Sequence, residues 1–118
     1  MTREFILNTL LPYKEDVSKC AYENDFCRYL TKDGRKCAVG KHLIDGYHQR
    51  FKGSVGQLVN KYGWYVFTKE AQDQKIDLHV WSTMQRYHDL LSQTHRVSNM
   101  IVDCLENLTG FEFPELRP

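Results

Sequence analysis

The dipeptide Asp33-Gly34 constrains the fold of this chain more than any other short stretch of the sequence. Asp-Gly favours a two-residue type I′ turn, because both central residues of that turn have positive φ. The dipeptide therefore predicts a β-hairpin whose flanking residues pair as two antiparallel strands. In a tight turn residue 30 faces residue 37, which places Cys27 and Cys37 on opposite faces of the hairpin. Only a bulge or a longer loop brings these two cysteines together.

The composition is that of a globular chain. It has 118 residues, of which 42% are hydrophobic and 26% charged, and this predicts one domain over residues 1–118 rather than a disordered segment. The 16 basic and 15 acidic residues leave a net charge of +1. So small a charge gives no long-range field for nucleic acid or an anionic membrane, and it excludes an acidic mimic of DNA.

No long apolar run follows Met1, so the sequence predicts neither a signal peptide nor a membrane-spanning helix. We therefore expect a cytoplasmic protein. The four cysteines are Cys20, Cys27, Cys37 and Cys104. They are expected to be free thiols, because the cytosol is reducing.

Caps and apolar spacing predict about four helices around the hairpin. The first helix is capped by Thr2 and ends near Pro12, and the second covers 55–62 behind a capping box of Ser54 and Gln57. The third helix starts between Thr68 and Asp77 and ends near Gln93. The fourth helix follows Thr94 or Ser98 and ends at Gly110. The sequence leaves open whether residues 64–67 form a third strand. The predicted fold is α+β, a small domain with a hairpin-centred antiparallel sheet packed by about four helices.

The last predicted helix has an apolar face at helical spacing, formed by Val97, Met100, Ile101, Cys104, Leu105 and Leu108. Such a face normally packs on the core of its own chain. If it stays exposed, it indicates a subunit of a homo-oligomer.

Two stretches of the sequence resemble a known family. The first is Cys27-x-Tyr29, then Gly34, Cys37-Ala38-Val39-Gly40, Leu43-Ile44-Asp45 and Tyr47; the second is Gln85 with His88-Asp89, matching a Leu-Gln-x-x-His-Asp helix. Together they cover about a third of the chain and resemble small uncharacterised proteins of bacteria and tailed phages. Lys41, His42 and Ile44 depart from the family pattern. We know no established activity for the family, so the resemblance implies a fold and a phage-type setting rather than a chemistry.

Cys37, His88 and Asp89 supply the residue types of a Cys-His-Asp hydrolase. A helix start stabilises a thiolate, and an imidazole oriented by a carboxylate is the usual base for it. Adjacent helical residues point about 100° apart, so we expect Asp89 not to orient the ring of His88. The competing interpretation makes Cys37 and His88 ordinary core residues. The sequence contains no nucleotide-binding, hydrolase or deaminase fingerprint.

A metal site is a weaker alternative. Cys20, Cys27, Cys37 and His42 offer four ligands of the kind that zinc prefers. Their spacings lack the short Cys-x-x-Cys pairs of structural zinc sites, and buried free thiols are the competing interpretation. We predict no cofactor.

Basic residues surround the predicted hairpin tip and the turn that follows it. They are Lys32, Arg35, Lys36, Lys41, His42, His48, Arg50 and Lys52. Beside aromatic residues, such an edge suits a phosphate-bearing ligand, because cations meet its charge and an aromatic face stacks a base. The predicted ligand-binding residues are Tyr29, Arg35, Lys36, Gly40, Lys41, Tyr47 and Gln85. The competing interpretation is a solvated hairpin with ordinary surface lysines.

The sequence thus favours binding over catalysis. It predicts a non-enzymatic accessory protein of the phage or mobile-element type, which inhibits or sequesters a host protein or binds a small phosphate-bearing ligand. The alternative function is a minimal hydrolase that uses Cys37 and His88. We expect no membrane partner, find no strong case for DNA or RNA, and keep a homo-oligomer open. A phage-encoded protein of this kind is expected in the host cytoplasm.

Overall fold

The computed structural model describes residues 1–24 and 26–118 of the chain. Helices account for 60% of the residues. Within the described part, the α-helices are α1 (Arg3–Glu15), α2 (Gly46–Gln49), α3 (Val55–Tyr62), α4 (Lys69–Asp73), α5 (Leu78–Thr94) and α6 (Asn99–Thr109). The strands β1 (Tyr22–Glu23) and β2 (Phe26–Cys27) pair antiparallel. Short 3₁₀ turns cover Val17–Lys19, Gly40–His42, Trp64–Val66 and Pro114–Leu116.

The predicted α+β fold, with about four helices on a hairpin-centred antiparallel sheet, is wrong because the chain is mostly helical. Each strand of the β1–β2 pair has only two residues, so the pair offers no sheet face on which helices can pack. The centre of the molecule is α5 instead. Its Trp81, Met84 and Tyr87 side chains are buried, and the helix packs against α1, α3 and α6.

The segment around Asp33-Gly34 turns back on itself, but with a different turn from the predicted one. Gly34 has φ +89°, while Asp33 keeps the negative φ of ordinary residues. The Thr31 carbonyl accepts the Gly34 N–H over 3.1 Å, and the Thr31 N–H donates to the Arg35 carbonyl over 2.9 Å. This pattern is a three-residue loop that ends in a left-handed glycine. As a result residue 30 bridges to residue 36, one position away from the predicted pairing with residue 37.

The first helix begins as predicted and ends later. The Thr2 side chain accepts the Phe5 N–H and caps α1, which confirms the predicted start. The helix continues past Pro12 to Glu15, because the Pro12 carbonyl still accepts a hydrogen bond, from the Asp16 N–H over 3.0 Å. The buried side chain of Tyr13 anchors this last turn to the core.

The capping residues predicted the starts of the other long helices correctly. Ser54 and Gln57 form the predicted capping box of α3. Asp77 caps α5, at one end of the range that we predicted for its start. Ser98 caps α6, and Gly110 ends it with φ +76°. Each of these boundaries depends on residues within one helical turn, so the sequence alone contains the information.

The stretch over residues 64–67 is not a regular strand. Trp64–Val66 is a 3₁₀ turn, and Phe67 forms an isolated antiparallel bridge with Leu43. Val66 and Phe67 enter the core, whereas Trp64 and Tyr65 face solvent. This bridge holds the segment after Gly40 next to the segment before α4.

The tail after α6 returns to the start of the chain. Phe113 and Leu116 are fully buried, and the Tyr87 hydroxyl donates to the Leu116 carbonyl over 2.8 Å. Arg3 and Glu115 form an ion pair between the tail and α1. Among the described residues, no helix is both long and apolar enough to cross a membrane.

Candidate functional site

A network of hydrogen bonds joins α5 to the loop over residues 37–40. Gln85 accepts the Val39 N–H at Oε1 over 3.1 Å and donates from Nε2 to the Asp89 carboxylate over 2.7 Å. His88 Nδ1 lies 2.8 Å from the same carboxylate oxygen, and His88 Nε2 accepts the Ala21 N–H over 3.0 Å. The two stretches that carry the resemblance therefore meet in space. Their side chains satisfy backbone donors of irregular segments, which is a structural role.

The contact between His88 and Asp89 differs from our expectation that these neighbours point too far apart. The Nδ1 edge of the imidazole reaches the carboxylate although the two residues are adjacent on α5. Because Nε2 accepts the Ala21 N–H, the ring proton of the neutral imidazole is on Nδ1 and is donated to Asp89. His88 is fully buried, so both ring nitrogens have partners inside the protein.

Cys37 is sealed in the core beside this network. Its Sγ accepts the Gly40 N–H over 3.2 Å, and the residue has no exposed surface. Burial raises the pKa of the Cys37 thiol to about 12, whereas a nucleophilic cysteine needs a lowered pKa. His88, its predicted base, has no free ring nitrogen. This geometry gives the hydrolase alternative no support.

The structure brings together a different set of possible metal ligands from the predicted one. The ligand atoms of Cys27, His88 and Asp89 lie within 4.8 Å of one another. His42 is elsewhere, with Nε2 2.9 Å from the Thr9 hydroxyl. A metal bound between His88 and Asp89 uses Nδ1 and leaves the ring proton on Nε2. The Ala21 N–H already donates to Nε2, so the chemistry of this donor set does not fit a metal ion.

The remaining predicted metal ligands are thiols whose pKa is raised by burial. Cys20 is buried, and burial raises its pKa to about 12. Cys27 is half-buried, with its Sγ 3.3 Å from the Ser92 hydroxyl, and burial raises its pKa as well. All four cysteines of the chain are free thiols in the structure.

Two of the predicted ligand-binding cations are engaged by the protein's own carbonyl groups. Arg35 donates to the Cys20 carbonyl over 3.0 Å and to the Tyr22 carbonyl over 3.2 Å. Lys41 Nζ donates to the Thr9 carbonyl over 2.7 Å, and burial lowers its pKa to about 8. A phosphate at either side chain has to displace these contacts first.

The other predicted ligand-binding residues do not share one surface. Tyr29 is buried, and its hydroxyl donates to the Gly53 carbonyl over 2.8 Å. Gly40 is buried, and Gln85 is part of the network on α5. Lys36 and Tyr47 are exposed. Of the seven predicted positions, these two are therefore the ones whose side chains face solvent.

Four of the exposed large apolar side chains of the described residues lie within four positions of Leu43 or Phe67, the two residues of the bridge. We call this group the aromatic surface; it consists of Ile44, Tyr47, Trp64 and Tyr65. Tyr65 is 82% exposed and Tyr47 is 70% exposed. The Ile44 N–H donates to the Val66 carbonyl over 2.8 Å, so Ile44 lies beside the Trp64–Val66 turn. The ring centroids of Tyr47 and Tyr62 are 6.2 Å apart, and Tyr62 lies two residues before the same turn.

Three residues of the aromatic surface, Tyr47, Trp64 and Tyr65, belong to a segment without acidic residues, whereas the exposed Asp45 lies next to the fourth, Ile44. Residues 46–69 contain Arg50, Lys52, Lys61 and Lys69 and no Asp or Glu. Lys61 Nζ lies 5.3 Å from the centre of the Tyr62 ring, next to the aromatic surface. This local excess of positive charge contrasts with the balanced charge of the whole chain.

A groove of about 290 Å³ opens beside Trp64. Its lining residues are Trp64, Phe67, Ala71, Gln72, Lys75, Ile76 and Trp81. The rings of Phe67 and Trp81 stack at its base, with centroids 4.7 Å apart. The groove therefore extends the aromatic surface with a depression lined by apolar side chains and by the polar Gln72 and Lys75.

Sequence reasoning missed this surface because the run Trp64–Phe67 is apolar throughout. Nothing in such a run indicates that its first half faces solvent and its second half the core. The division arises because the 3₁₀ turn ends at Val66 and Phe67 is extended, held against the core by its bridge to Leu43. The absence of acidic residues between Asp45 and Glu70 is the signal in the sequence that marks the region.

A comparison of the chain with protein-family models, curated proteins and solved structures finds no match.

Proposed function

We propose that this chain is a non-enzymatic binding protein that engages an acidic partner protein through the aromatic surface and its groove. The observation that carries the proposal is the exposure of Tyr47 and Tyr65 next to Ile44 and Trp64. Contiguous exposed apolar groups of this kind mark interaction sites. Tyrosine and tryptophan are also the residue types that dominate binding energy in protein interfaces.

The excess of basic residues in the segment that carries Tyr47, Trp64 and Tyr65 supports an acidic partner, with Asp45 and Glu70 at the two ends of that segment. Four basic residues and no acidic ones lie within residues 46–69. Complementary charge speeds association and excludes partners of the same sign, while the aromatic groups supply affinity. The phage-type setting of the proposal comes from the resemblance, and inhibition or sequestration of a host protein is the form it takes.

A protein partner is favoured over a small phosphate-bearing ligand by the contacts of the predicted basic residues. Arg35 and Lys41 donate to carbonyl groups of the chain itself. The Gly40 N–H donates to Cys37 Sγ. A phosphate site needs donors that point into open space, and these three are turned inward.

The proposal is tested by measuring how much partner protein each of three chains captures from the cells that produce it. The three chains are the wild type and two double variants. Tyr47→Ala with Tyr65→Ala removes two exposed side chains, and we expect it to retain the fold and lose the partner. Lys32→Glu with Lys36→Glu reverses two exposed charges at the Asp33-Gly34 loop and is expected to capture the partner as the wild type does. In a second experiment the captured partner is titrated with the purified wild-type chain. Binding is measured in the presence of single-stranded DNA or RNA oligomers.

Two results overturn the proposal. One is equal capture by the wild type and the tyrosine variant, with loss only in the lysine variant, which moves the site to the Asp33-Gly34 loop. The other is binding that an oligonucleotide abolishes by occupying the same tyrosines. Aromatic and basic surfaces stack nucleic acid bases as well, so the second result identifies a different class of ligand.

A further inference from the structure

Three aromatic rings lead from the surface into the core at the groove beside Trp64. The ring centroids of Trp64 and Phe67 are 5.6 Å apart, and those of Phe67 and Trp81 are 4.7 Å apart. Trp64 is exposed, whereas Phe67 and Trp81 are buried. The groove therefore has an aromatic base that is continuous with the exposed rings of the aromatic surface.

The size of the groove suits one large side chain. Its volume of about 290 Å³ lies at the lower limit of sites for drug-sized ligands and cofactors, which span roughly 300 to 1,000 Å³. Ala71 and Ile76, both buried, complete its apolar lining. Protein interfaces gain much of their energy from single anchor side chains of one partner that fill such pockets of the other. An aromatic or long aliphatic side chain fits this description.

Lys75 gives the wall of the groove a positive charge. It is exposed, and among the residues that the structure describes it has no ion-pair partner. The acidic residues near it in the sequence are Glu70, Asp73 and Asp77, and the lining of the groove includes none of the three. Asp77 instead accepts the Val80 N–H and caps α5. The charge inside the groove is therefore that of Lys75, and it is complementary to a carboxylate.

Lys75 occupies its position at a cost to the backbone. Its φ of +53° lies in the left-handed region that favours glycine. The Lys75 N–H donates to the Gln72 carbonyl over 3.0 Å, so the residue follows α4 at the point where many helices carry glycine. Strain of this kind is concentrated at functional sites. A lysine where glycine is unstrained fits a role for its side chain in binding.

Gln72 is the second polar residue of the groove. Its Nε2 donates to the Phe67 carbonyl over 2.8 Å, which orients the side-chain amide. Within the described part of the chain its Oε1 has no hydrogen-bond partner, so this oxygen is available to accept an N–H from a bound segment. The groove thus combines an apolar base, an acceptor and a cation. These groups match a peptide that presents an apolar side chain, a backbone N–H and a carboxylate.

We propose that the groove binds one apolar side chain of the acidic partner, next to an aspartate or glutamate of the same segment that pairs with Lys75. This inference rests on the proposed function, because Trp64 belongs both to the aromatic surface and to the groove. It adds the chemistry of the recognised segment, an apolar residue beside an acidic one. Tyr47 and Tyr65 contact the rest of the partner, and the groove selects the segment.

Selection of random heptapeptides on the purified full chain tests which segment is recognised. We expect the wild type to enrich peptides in which Leu, Phe or Trp stands next to Asp or Glu. On Lys75→Glu the same selection should enrich Lys or Arg beside the apolar residue, because the charge on the wall is reversed. Enrichment of the same acidic peptides by both chains overturns the pairing with Lys75. Peptides without an enriched apolar residue overturn the groove as the site.

Titration with a selected peptide that contains no tryptophan measures the affinity. Trp64 and Trp81 are the two tryptophans of the chain and both line the groove, so the intrinsic fluorescence reports its occupancy. Lys75→Glu is expected to raise the dissociation constant about ten-fold. Lys32→Glu makes the same change of net charge at an exposed position of the Asp33-Gly34 loop and is the matched control. An equal loss of affinity in the two variants overturns a specific role for Lys75.

Lys75→Gly separates binding from folding. Glycine adopts a φ of +53° without strain, so we expect the melting temperature to rise. The same variant loses the cation and should bind the peptide about ten-fold more weakly. A purely structural role for Lys75 does not predict these opposite effects. A Lys75→Gly protein that binds the peptide as tightly as the wild type overturns the inference.

Capture of the partner from cells distinguishes this inference from the proposed function. If Tyr47→Ala with Tyr65→Ala loses the partner while Lys75→Glu captures it fully, the aromatic surface is the partner site and the groove inference fails. If Lys75→Glu loses the partner and the tyrosine variant keeps it, the groove inference is supported and the proposed role of the two tyrosines fails. A small apolar acid without a peptide backbone, 4-phenylbutyrate, is the last probe. Tighter binding of this acid than of the selected peptides assigns the groove to a small ligand and overturns the inference.

Discussion

The backbone N–H of Ala21 donates to Nε2 of His88 over 3.0 Å, although the two residues are 67 positions apart in the chain. Ala21 lies between the 3₁₀ turn Val17–Lys19 and the strand β1, outside both, so neither element pairs its N–H. A buried N–H without an acceptor is costly, so His88 supplies the partner from α5. This histidine is consequently a structural residue.

Replacing His88 by phenylalanine is expected to destabilise the protein by about 2 kcal/mol, because the buried Ala21 N–H loses its acceptor. The aromatic ring is kept, so packing against Tyr13, whose ring centroid is 4.7 Å away, changes little. Urea unfolding followed by circular dichroism measures the loss. His79→Phe, at an exposed position of the same helix, is the control and should be neutral. Equal midpoints for the two variants contradict the structural role.

Gly40→Ala should prevent folding or cost more than about 3 kcal/mol. A Cβ at this position lies 1.9 Å from the Tyr29 carbonyl oxygen, and backbone atoms cannot move aside as a side chain can. Gly46→Ala is the matched control, since a Cβ there meets nothing within 4 Å. Melting temperatures of the two variants provide the comparison. A Gly40→Ala protein as stable as Gly46→Ala shows that the chain does not approach Tyr29 this closely.

Stability should fall as the pH drops from about 6.5 to about 4. Burial lowers the pKa of His42 to about 4 from an ordinary value of 6.5, so the unfolded chain binds this proton more tightly than the folded chain. The contribution is complete above pH 6.5 and declines below it, by up to about 3 kcal/mol. His42→Phe removes this titration, and its stability should depend less on pH in that window. If the stability of the wild type and of the His42→Phe protein falls equally steeply over this pH range, His42 is not the cause of the pH dependence.

Cys20 and Cys37 should resist thiol reagents in the native protein. Both are buried, and burial raises the pKa of each to about 12, so the reactive thiolate is scarce at neutral pH. A disulfide reagent added to the Cys104→Ser protein, with peptide mapping of the modified sites, measures the rates. In denaturant without reductant the wild type should show four free thiols. Rapid native labelling of Cys37 contradicts the sealed position.

The helices could be predicted from the sequence, whereas the hairpin could not. Ser54 with Gln57, and Ser98 with Gly110, act within one turn of the helix that they delimit. The loop around Asp33-Gly34 is instead fixed by distant groups. The Tyr13 hydroxyl donates to the Lys36 carbonyl, and Arg35 donates to two carbonyls before β2. These contacts come from residues distant in the sequence, so the local sequence does not reveal them.

The candidate site was predicted in part. The sequence predicted the apolar residues of α6 and named Tyr47, which is exposed, among the ligand-binding residues, whereas binding as the class of function stays a prediction. The sequence does not show which of the apolar residues of α6 face solvent, because the helix buries one side and its other side also carries apolar residues, Met100 and Leu108. The roles of Gln85 and His88 depend on backbone N–H groups of Val39 and Ala21, and a pattern of side chains cannot show where unpaired backbone donors lie.

The ion pair between Arg3 and Glu115 spans 112 positions of the chain, and it has a consequence for synthesis. On the ribosome α1 emerges about a hundred residues before Phe113 and Leu116 of the tail that packs on it. Until they arrive, part of the apolar face of α1 has no cover from its own chain. Contacts this distant in sequence form slowly. Nascent chains of this protein should therefore present α1 to chaperones and proteases, and a stall before residue 113 should lead to degradation rather than to a shortened, folded product.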